Sequence, residues 1–230
     1  TEVDTLSLHD ALPILKDLCF IFCYMNDNNI LAVILAGGKS KRFGEDKNLA
    51  KLGSKSLLEH VIERVREKFQ KILIISNKNP KIKKKDYIEI IPDCIEGNLG
   101  PLVGVLSAMK WVKEKKKNYK WVATFPSDTP FFDNSIVEKY FEEIKNNQSH
   151  LYFIKSNEKR HNIFGLWSVE LMDILEDDLV KKNFRKVEEW SNKIGVKTIN
   201  IKFNEFDPFL NINTKEDLIK AEKIFKKFEK

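Results

Sequence analysis

The sequence predicts an α/β fold of three layers, α/β/α, with helices on both faces of a mostly parallel central sheet. Three observations lead there. From Ile30 onward, short β-branched runs alternate with amphipathic helical runs, the pattern of strands joined by crossover helices. The strand candidates are nearly all apolar rather than alternating, as strands covered on both faces are. A chain of 230 residues with 42% hydrophobic and 32% charged side chains is ample for one core and short for two.

The elements follow in order. Ile30–Leu35 (ILAVIL) is the first strand. Leu57, Leu58, Val61, Ile62, Val65 and Phe69 then fall at helical spacing, with Glu59, Glu63 and Lys68 on other faces, so a helix covers the sheet. Residues 71–76 (KILIIS) make a second buried strand, residues 89–92 a short third, and residues 102–113 a second helix. Residues 121–125 (WVATF) are the fourth strand, residues 135–145 the third helix and residues 151–155 another strand. A strand over 164–168, a helix from Val169, a helix over 183–194 stopped by Gly195, and a strand over 196–201 complete the alternation. Thr214 with Asp217 forms a capping box that starts the last helix. The chain has no internal repeat, low-complexity tract or linker.

Residues 1–24 stand apart. They offer an acidic start, no basic n-region, and an apolar run interrupted by Pro13, Lys16 and Asp17, which fits neither a signal peptide nor a membrane span. The piece TLSLHDALPI is similar to translated sequencing-adapter read-through, and Met25 before NDNN reads as a natural start. Residues 1–24 are therefore expected to be a non-native or disordered leader, and residues 25–230 a single domain. Cys19, Cys23 and Cys94 form no even framework, and the chain lacks the Cys/His spacings of a zinc site. A reducing compartment, the cytoplasm, is expected, without disulfides.

The formal net charge of +6 invites a nucleic-acid reading, with KIKKK at residues 81–85 and KEKKKNYK at residues 113–120. Only five of the 40 basic residues are arginine, however, and arginine is the usual fork for phosphates and base edges. Solvated lysine faces are the expectation, with no nucleic-acid partner and no membrane.

In open α/β sheets ligands bind beyond the carboxyl ends of the strands. The first strand runs into Ala36-Gly37-Gly38, the second into Ser76-Asn77, the third into Pro92-Asp93 and the fourth into Pro126-Ser127-Asp128. Gly37 and Gly38 lack a Cβ, so their amides can approach a bound group closely. Lys39, Lys41, Arg42 and Lys47 follow within nine residues, enough cationic charge to hold a triphosphate. The dinucleotide fingerprint G-x-G-x-x-G is absent, and the position of the first Walker A glycine is Val33. Asp128 lies in FPSDTPFF, where Pro126 and Pro130 stiffen the loop. Alone, such an aspartate is more often a turn or capping residue. Beside a phosphate loop it fits a Mg²⁺ ligand, because Mg²⁺ takes one or two carboxylates plus substrate phosphates and waters. Asp93 is a candidate to share that metal or its water shell.

Taken together, the chain resembles the molybdenum cofactor guanylyltransferase family, the MobA-like nucleotidyltransferases, from about Leu31 to Phe225. The resemblance is carried by LAGGKSKRFGEDK, by IISN ending at Asn77, IPD ending at Asp93, GPLVGVLSAM from Gly100, PSDTPF from Pro126, FGLWS from Phe164 and FLNINTKEDL from Phe209. It implies a Rossmann-like nucleotidyltransferase fold and transfer of GMP from GTP to the terminal phosphate of molybdopterin, with release of pyrophosphate. Carried over residue by residue, it implies Leu35, Ala36, Gly37 and Gly38 at the nucleotide, Lys47 on its phosphates, Asn77 and Asp93 at base and ribose, and Mg²⁺ on Asp128. Gly100, Pro101 and Leu102 match a second nucleotide-lining segment. Asn211 and Asn213 match a segment on the pterin side, although an N-cap and a turn would explain them too.

Such a transfer asks for positioning and charge neutralisation rather than a covalent nucleophile. Lys47, Arg42 and Mg²⁺ on Asp128 are expected to offset anion repulsion during in-line attack on the α-phosphorus. The family often has His-Pro where this chain has His161-Asn162. His161 with Lys159 and Arg160 is a candidate for the pterin phosphate, or else a solvated polar turn. Arg185, Lys186 and Trp190 fall in a region the family uses near the cofactor, and helix packing explains Trp190 equally. Alternatives remain at this point: a cytidylyl-transferring molybdopterin relative, a sugar-phosphate nucleotidyltransferase, or a non-catalytic nucleotide-binding module in cofactor assembly. Gly37 discriminates the first, since cytidylyl relatives tend to carry Ala-Gly there; the set Lys47, Asp93 and Asp128 speaks against the last. Expected partners are GTP, molybdopterin and, transiently, cofactor-supplying proteins and molybdoenzyme apoproteins.

Overall fold

A computed structural model describes residues 29–37, 49–97, 99–115, 117–146, 148–203 and 206–228. The leader over 1–24, Cys19, Cys23, and the loop residues Gly38, Lys39, Lys41, Arg42 and Lys47 lie outside the described residues.

Nine strands occur among the described residues: β1 (Ile30–Leu35), β2 (Lys51–Leu52), β3 (Lys55–Ser56), β4 (Ile72–Ile75), β5 (Ile88–Ile91), β6 (Trp121–Pro126), β7 (Leu151–Ser156), β8 (Lys159–Ser168) and β9 (Lys197–Ile201). Six helices accompany them: α1 (Leu57–Arg66), α2 (Pro101–Glu114), α3 (Ser135–Asn146), α4 (Met172–Val180), α5 (Val187–Ile194) and α6 (Lys215–Phe228). The main sheet runs β5-β4-β1-β6-β8-β7-β9, and β2 and β3 form a separate hairpin. β5, β4, β1 and β6 are mutually parallel, β8 is antiparallel to both β6 and β7, and β9 is parallel to β7. The predicted three-layer architecture with a mostly parallel sheet is the one observed.

Alternation along the strands divides the core into two halves. Ile30, Ala32 and Ile34 of β1 face Leu58, Val61 and Val65 of α1 and Val137 and Tyr140 of α3. Leu31 and Val33 face Leu102, Leu106 and Met109 of α2, with Leu175 of α4 and Trp190 of α5 in the same cluster. A smaller cluster of Leu52, Leu57, Phe131, Ile212 and Ala221 seats α6 beside the β2–β3 hairpin. Local chemistry sets the helix ends. Ser56 caps α1 with a complete capping box to Glu59, and Thr214 accepts from Asp217 N–H while Asp217 accepts from Thr214 N–H at α6.

Three expectations need correction. β8 begins at Lys159, not Phe164, because Asn157 and Glu158 both hold positive φ (44° and 64°) and make a two-residue hairpin. Partner register then slips between Phe153/Ile154 and its neighbours, from Phe153↔Gly165 to Ile154↔His161, so Asn162, Ile163 and Phe164 bulge from the ladder. α5 begins at Val187 rather than at residue 183, because Asn183 adopts φ 57° and breaks the helical path. Residues 169–171 form a single 3₁₀ turn before α4. Among the described residues no helix is long and apolar enough to cross a membrane. The KIKKK run is exposed apart from Ile82, which packs on the core.

Candidate active site

The four parallel strands deliver their tips to one edge. Ala36 N–H donates to Ile75 O (2.9 Å), Ser76 N–H to Ile91 O (2.9 Å) and Ser127 N–H to Leu35 O (3.3 Å), so the ladder continues one residue past each strand and locks neighbouring tips together. Leu35 is half-buried, Ala36 buried and Gly37 exposed. A Cβ built on Gly37 meets no atom within 4 Å among the described residues, so none of their side chains requires a glycine there.

Asn77 and Asp93 form a reciprocal pair. Asn77 Nδ2 donates to Asp93 Oδ2 (2.7 Å) and Asp93 N–H donates to Asn77 Oδ1 (2.9 Å). Burial pushes the Asp93 carboxyl up from its ordinary value, and the Asn77 hydrogen bond works against that rise. Beneath them, Gly104 of α2 lets the helix approach the tips: a Cβ there would lie 2.9 Å from Leu35 Cδ2 and 3.8 Å from Asp93 Oδ1. Gly100 caps α2 with φ 93°, a conformation glycine adopts freely, and without a side-chain cap hydrogen bond. Pro101 follows at the first helical position, preset for it. No acidic residue lies in the first turn to offset the positive end of the helix dipole, and Gly104 in the next turn lies against Leu35 and Asp93 at the strand tips.

On the other side, β6 runs into Ser127, Asp128 and Thr129, all buried. Thr129 Oγ1 lies 3.4 Å from Asp128 Oδ1, and Ile212 N–H donates to Asp128 O (2.9 Å). That last bond fastens the Asn211-Ile212-Asn213 tip to the aspartate loop. Ile212 is buried, Asn211 exposed, and Asn213 N–H reaches Asp217 Oδ2 (3.1 Å) at the start of α6.

Lys159, Arg160 and His161 do not form one anion pocket. Neighbours on a strand point to opposite faces. Arg160 turns toward Phe153 and donates to Asn162 Oδ1 (2.7 Å) and Asn192 Oδ1 (2.9 Å). His161 turns the other way, stacks on Phe209 (4.2 Å between centroids, 26°) and bonds Ser156 Oγ through Nε2 (2.7 Å). Burial lowers its pKa to about 4, with Lys159 adding to the fall and Asp207 opposing it. His161 is thus neutral near pH 7, and it is not a solvated turn residue either. Arg185 is half-buried, with Nη1 on Leu179 O and Phe184 O, Lys186 is exposed and paired with Glu189 (2.6 Å), and Trp190 is a core residue stacked on Trp167.

Among the described residues no group of three His, Cys, Asp or Glu side chains could hold a metal ion. A Mg²⁺ carried on substrate phosphates needs only one or two carboxylates, and the buried Asp128 at the strand tip supplies that donor type. The described residues fit such an ion and do not form a self-sufficient metal cage. Three features escaped sequence reasoning: the Ile212–Asp128 tie, the His161–Phe209 stack, and the approach of Arg185 O to Gly100, 3.3 Å from a built Cβ. All three join distant segments. The apolar residues of FLNIN were the one local hint that this tip is anchored rather than free.

Residues 32–194 match the family model described as the MobA-like NTP transferase domain. The molybdenum cofactor guanylyltransferase of Rhizobium meliloti (strain 1021) is 36% identical over 196 residues, covering 83% of this chain and 89% of the relative. That of Haemophilus influenzae (strain 86-028NP) is 35% identical over 194 residues, covering 84% and 97%. Among solved structures, the molybdopterin-guanine dinucleotide biosynthesis protein A of Archaeoglobus fulgidus shares the fold with a TM-score of 0.69 at 23% identity, over 86% of this chain and 99% of that one.

Proposed function

The chain belongs to the MobA-like NTP transferase family, and we propose that it acts as a molybdenum cofactor guanylyltransferase, moving GMP from GTP to the terminal phosphate of molybdopterin. An oxygen of that phosphate forms a bond to the α-phosphorus, the bond from the α-phosphorus to the bridging oxygen breaks, and pyrophosphate leaves. The observation that carries this reading is the convergence of the Asn77–Asp93 pair, the Gly100 end of α2 and the Asp128 loop on one sheet edge, in a chain whose relatives bear that activity across most of its length.

In this reading Leu35, Ala36, Gly37 and Gly38 present backbone to the nucleotide, and the exposed face of Gly37 leaves room for a purine edge. Asn77 and Asp93, fixed by each other, contact base and ribose. Gly100, Pro101 and Leu102 line the nucleotide from the α2 side. Lys47 and Arg42 neutralise the phosphates, and Asp128 holds a Mg²⁺ that, when bound, lowers the charge repulsion between the reacting anions. Asn211 and Asn213 face the acceptor from a tip that the Ile212 hydrogen bond keeps beside Asp128, and His161 serves that side through Phe209. The reading places the reaction in the cytoplasm, with short-lived contacts to cofactor-supplying proteins and molybdoenzyme apoproteins.

The test incubates the protein with Mg²⁺, molybdopterin on its carrier and each nucleoside triphosphate separately, scoring pyrophosphate and pterin dinucleotide by mass spectrometry. Product with GTP alone is expected. Product with CTP instead would make it a cytidylyl transferase, and tight nucleotide binding without pyrophosphate would make it a binding module.

A further inference from the structure

Asp178 lies on the buried face of α4 between Leu175 and Leu179 and has no solvent exposure. Its Oδ1 accepts from Lys182 Nζ (2.9 Å), and its Oδ2 accepts from Trp190 Nε1 (3.0 Å) and from Lys193 Nζ. Two ammonium groups and an indole N–H therefore meet on one desolvated carboxylate that ties α4 to α5. Such an arrangement contributes little to stability compared with an apolar replacement of the same shape, and its best-attested use is to fix one geometry.

The geometry fixed here is that of the loop over residues 181–186. Phe184 N–H donates to Asp178 O (3.0 Å), and the Phe184 ring sits 5.1 Å from Lys193 Nζ. Arg185 Nη1 donates to Leu179 O (2.8 Å) and Phe184 O (2.7 Å), both inside the clamp. The backbone held this way puts Arg185 O against Gly100 at the start of α2, so close that a Cβ there would stand 3.3 Å away. The loop is a wall against the segment assigned above to the nucleotide, and its lateral position is set from behind.

We propose that Asp178 is a positioning residue for the nucleotide, clamping the α4–α5 loop so that Arg185 and its backbone close the α2 end of the cleft. The inference rests on the guanylyltransferase reading and deepens it. Asp178→Asn keeps shape and the acceptor for Trp190 while removing the charge that gathers the two lysines; Lys193→Met removes one cation and leaves the carboxylate bonded to Lys182 and Trp190.

The protein is assayed with Mg²⁺ well below its thermal midpoint, reading GTP Kd by calorimetry, KM and kcat by pyrophosphate release, and Tm. Both variants should raise Kd and KM for GTP about tenfold with kcat within about threefold, the signature of lost ground-state binding, and Lys193→Arg should recover most of the loss. Ile136→Val, on the buried face of α3, should lower Tm without moving either constant. Kd and KM within about twofold of wild type in both variants, despite a lower Tm, would reduce Asp178 to a structural clamp and overturn the proposal. Should Asp178→Asn fail to fold, Lys193→Met decides alone. Wild-type protein that binds no GTP would remove the guanylyltransferase reading itself, an outcome seen before any variant is made, and this inference with it.

Discussion

Gly37 and His161 show opposite relations between a residue and its surroundings. No atom among the described residues lies within 4 Å of a Cβ built on Gly37, so Gly37→Ala should leave thermal stability unchanged and weaken GTP binding, with affinity for CTP less affected. A fall in Tm would mean that the glycine serves the fold. His161, by contrast, is held by its neighbours on two sides, and its pKa near 4 lies below the 6.5 of a free histidine. The unfolded chain therefore binds the proton more readily than the folded one between those values. Stability contributed by this ring is complete above about pH 6.5 and is lost as pH falls toward 4. Urea midpoints measured from pH 4 to pH 8 should rise through that interval, and His161→Phe, which keeps the stack on Phe209, should flatten the rise. Asp128 is different again, since the role proposed for it is chemical. Asp128→Asn should cut turnover by ~10²-fold in saturating Mg²⁺, the usual scale for removing one electrostatic contributor to a transition state, while leaving the Ile212 backbone tie intact.

At the level of elements, β8 carries a glycine with no room for a side chain. Gly165 sits where a Cβ would come within 2.5 Å of Trp167 Nε1 and 2.7 Å of Phe153 Cε1. Both aromatic side chains are fully buried, so neither can swing aside. Gly165→Ala should lower unfolding free energy by about 2–3 kcal/mol, toward the upper end of overpacking costs, at unchanged denaturant m-value. This same strand marks where sequence reasoning ran short. β1, β4 and β6 were legible because unbroken apolar runs leave few alternatives, and their tips, with the glycines, Asn77 and Asp128, came with them. The first half of β8 reads KRHN, a polar stretch, and became a strand through a tight hairpin that pairs it with β7. The two-residue strands β2 and β3 are too short to carry a period. Asp178 was readable in principle, as a carboxylate on the apolar stripe of Met172, Leu175 and Leu179. The contacts that close the candidate site, Ile212 with Asp128 and Arg185 with Gly100, join residues far apart in the chain and leave no local trace.

For the molecule as a whole, the two core halves share their strands: Ile34 and Val33 are neighbours in β1 yet belong to opposite faces. Neither half can open while the other stays intact, and α6 is tied in through Ile212 and the Asp128 loop. We propose residues 25–230 as one cooperative unit, for which calorimetric and van't Hoff enthalpies should agree; two separable transitions would divide it. The order of the strands adds a kinetic consequence. β6 lies between β1 and β8, and β8 reaches it only after α3 and the whole of β7 have been made, pairing Thr124 with Gly165. Until the β7–β8 hairpin docks, WVATFP offers an uncharged apolar edge with open hydrogen-bonding groups, the kind of surface that recruits another chain. Refolding yield from urea should fall as protein concentration rises, even where the native protein stays in solution, so crowding during synthesis, rather than the stability of the finished sheet, would set how much active protein a cell obtains.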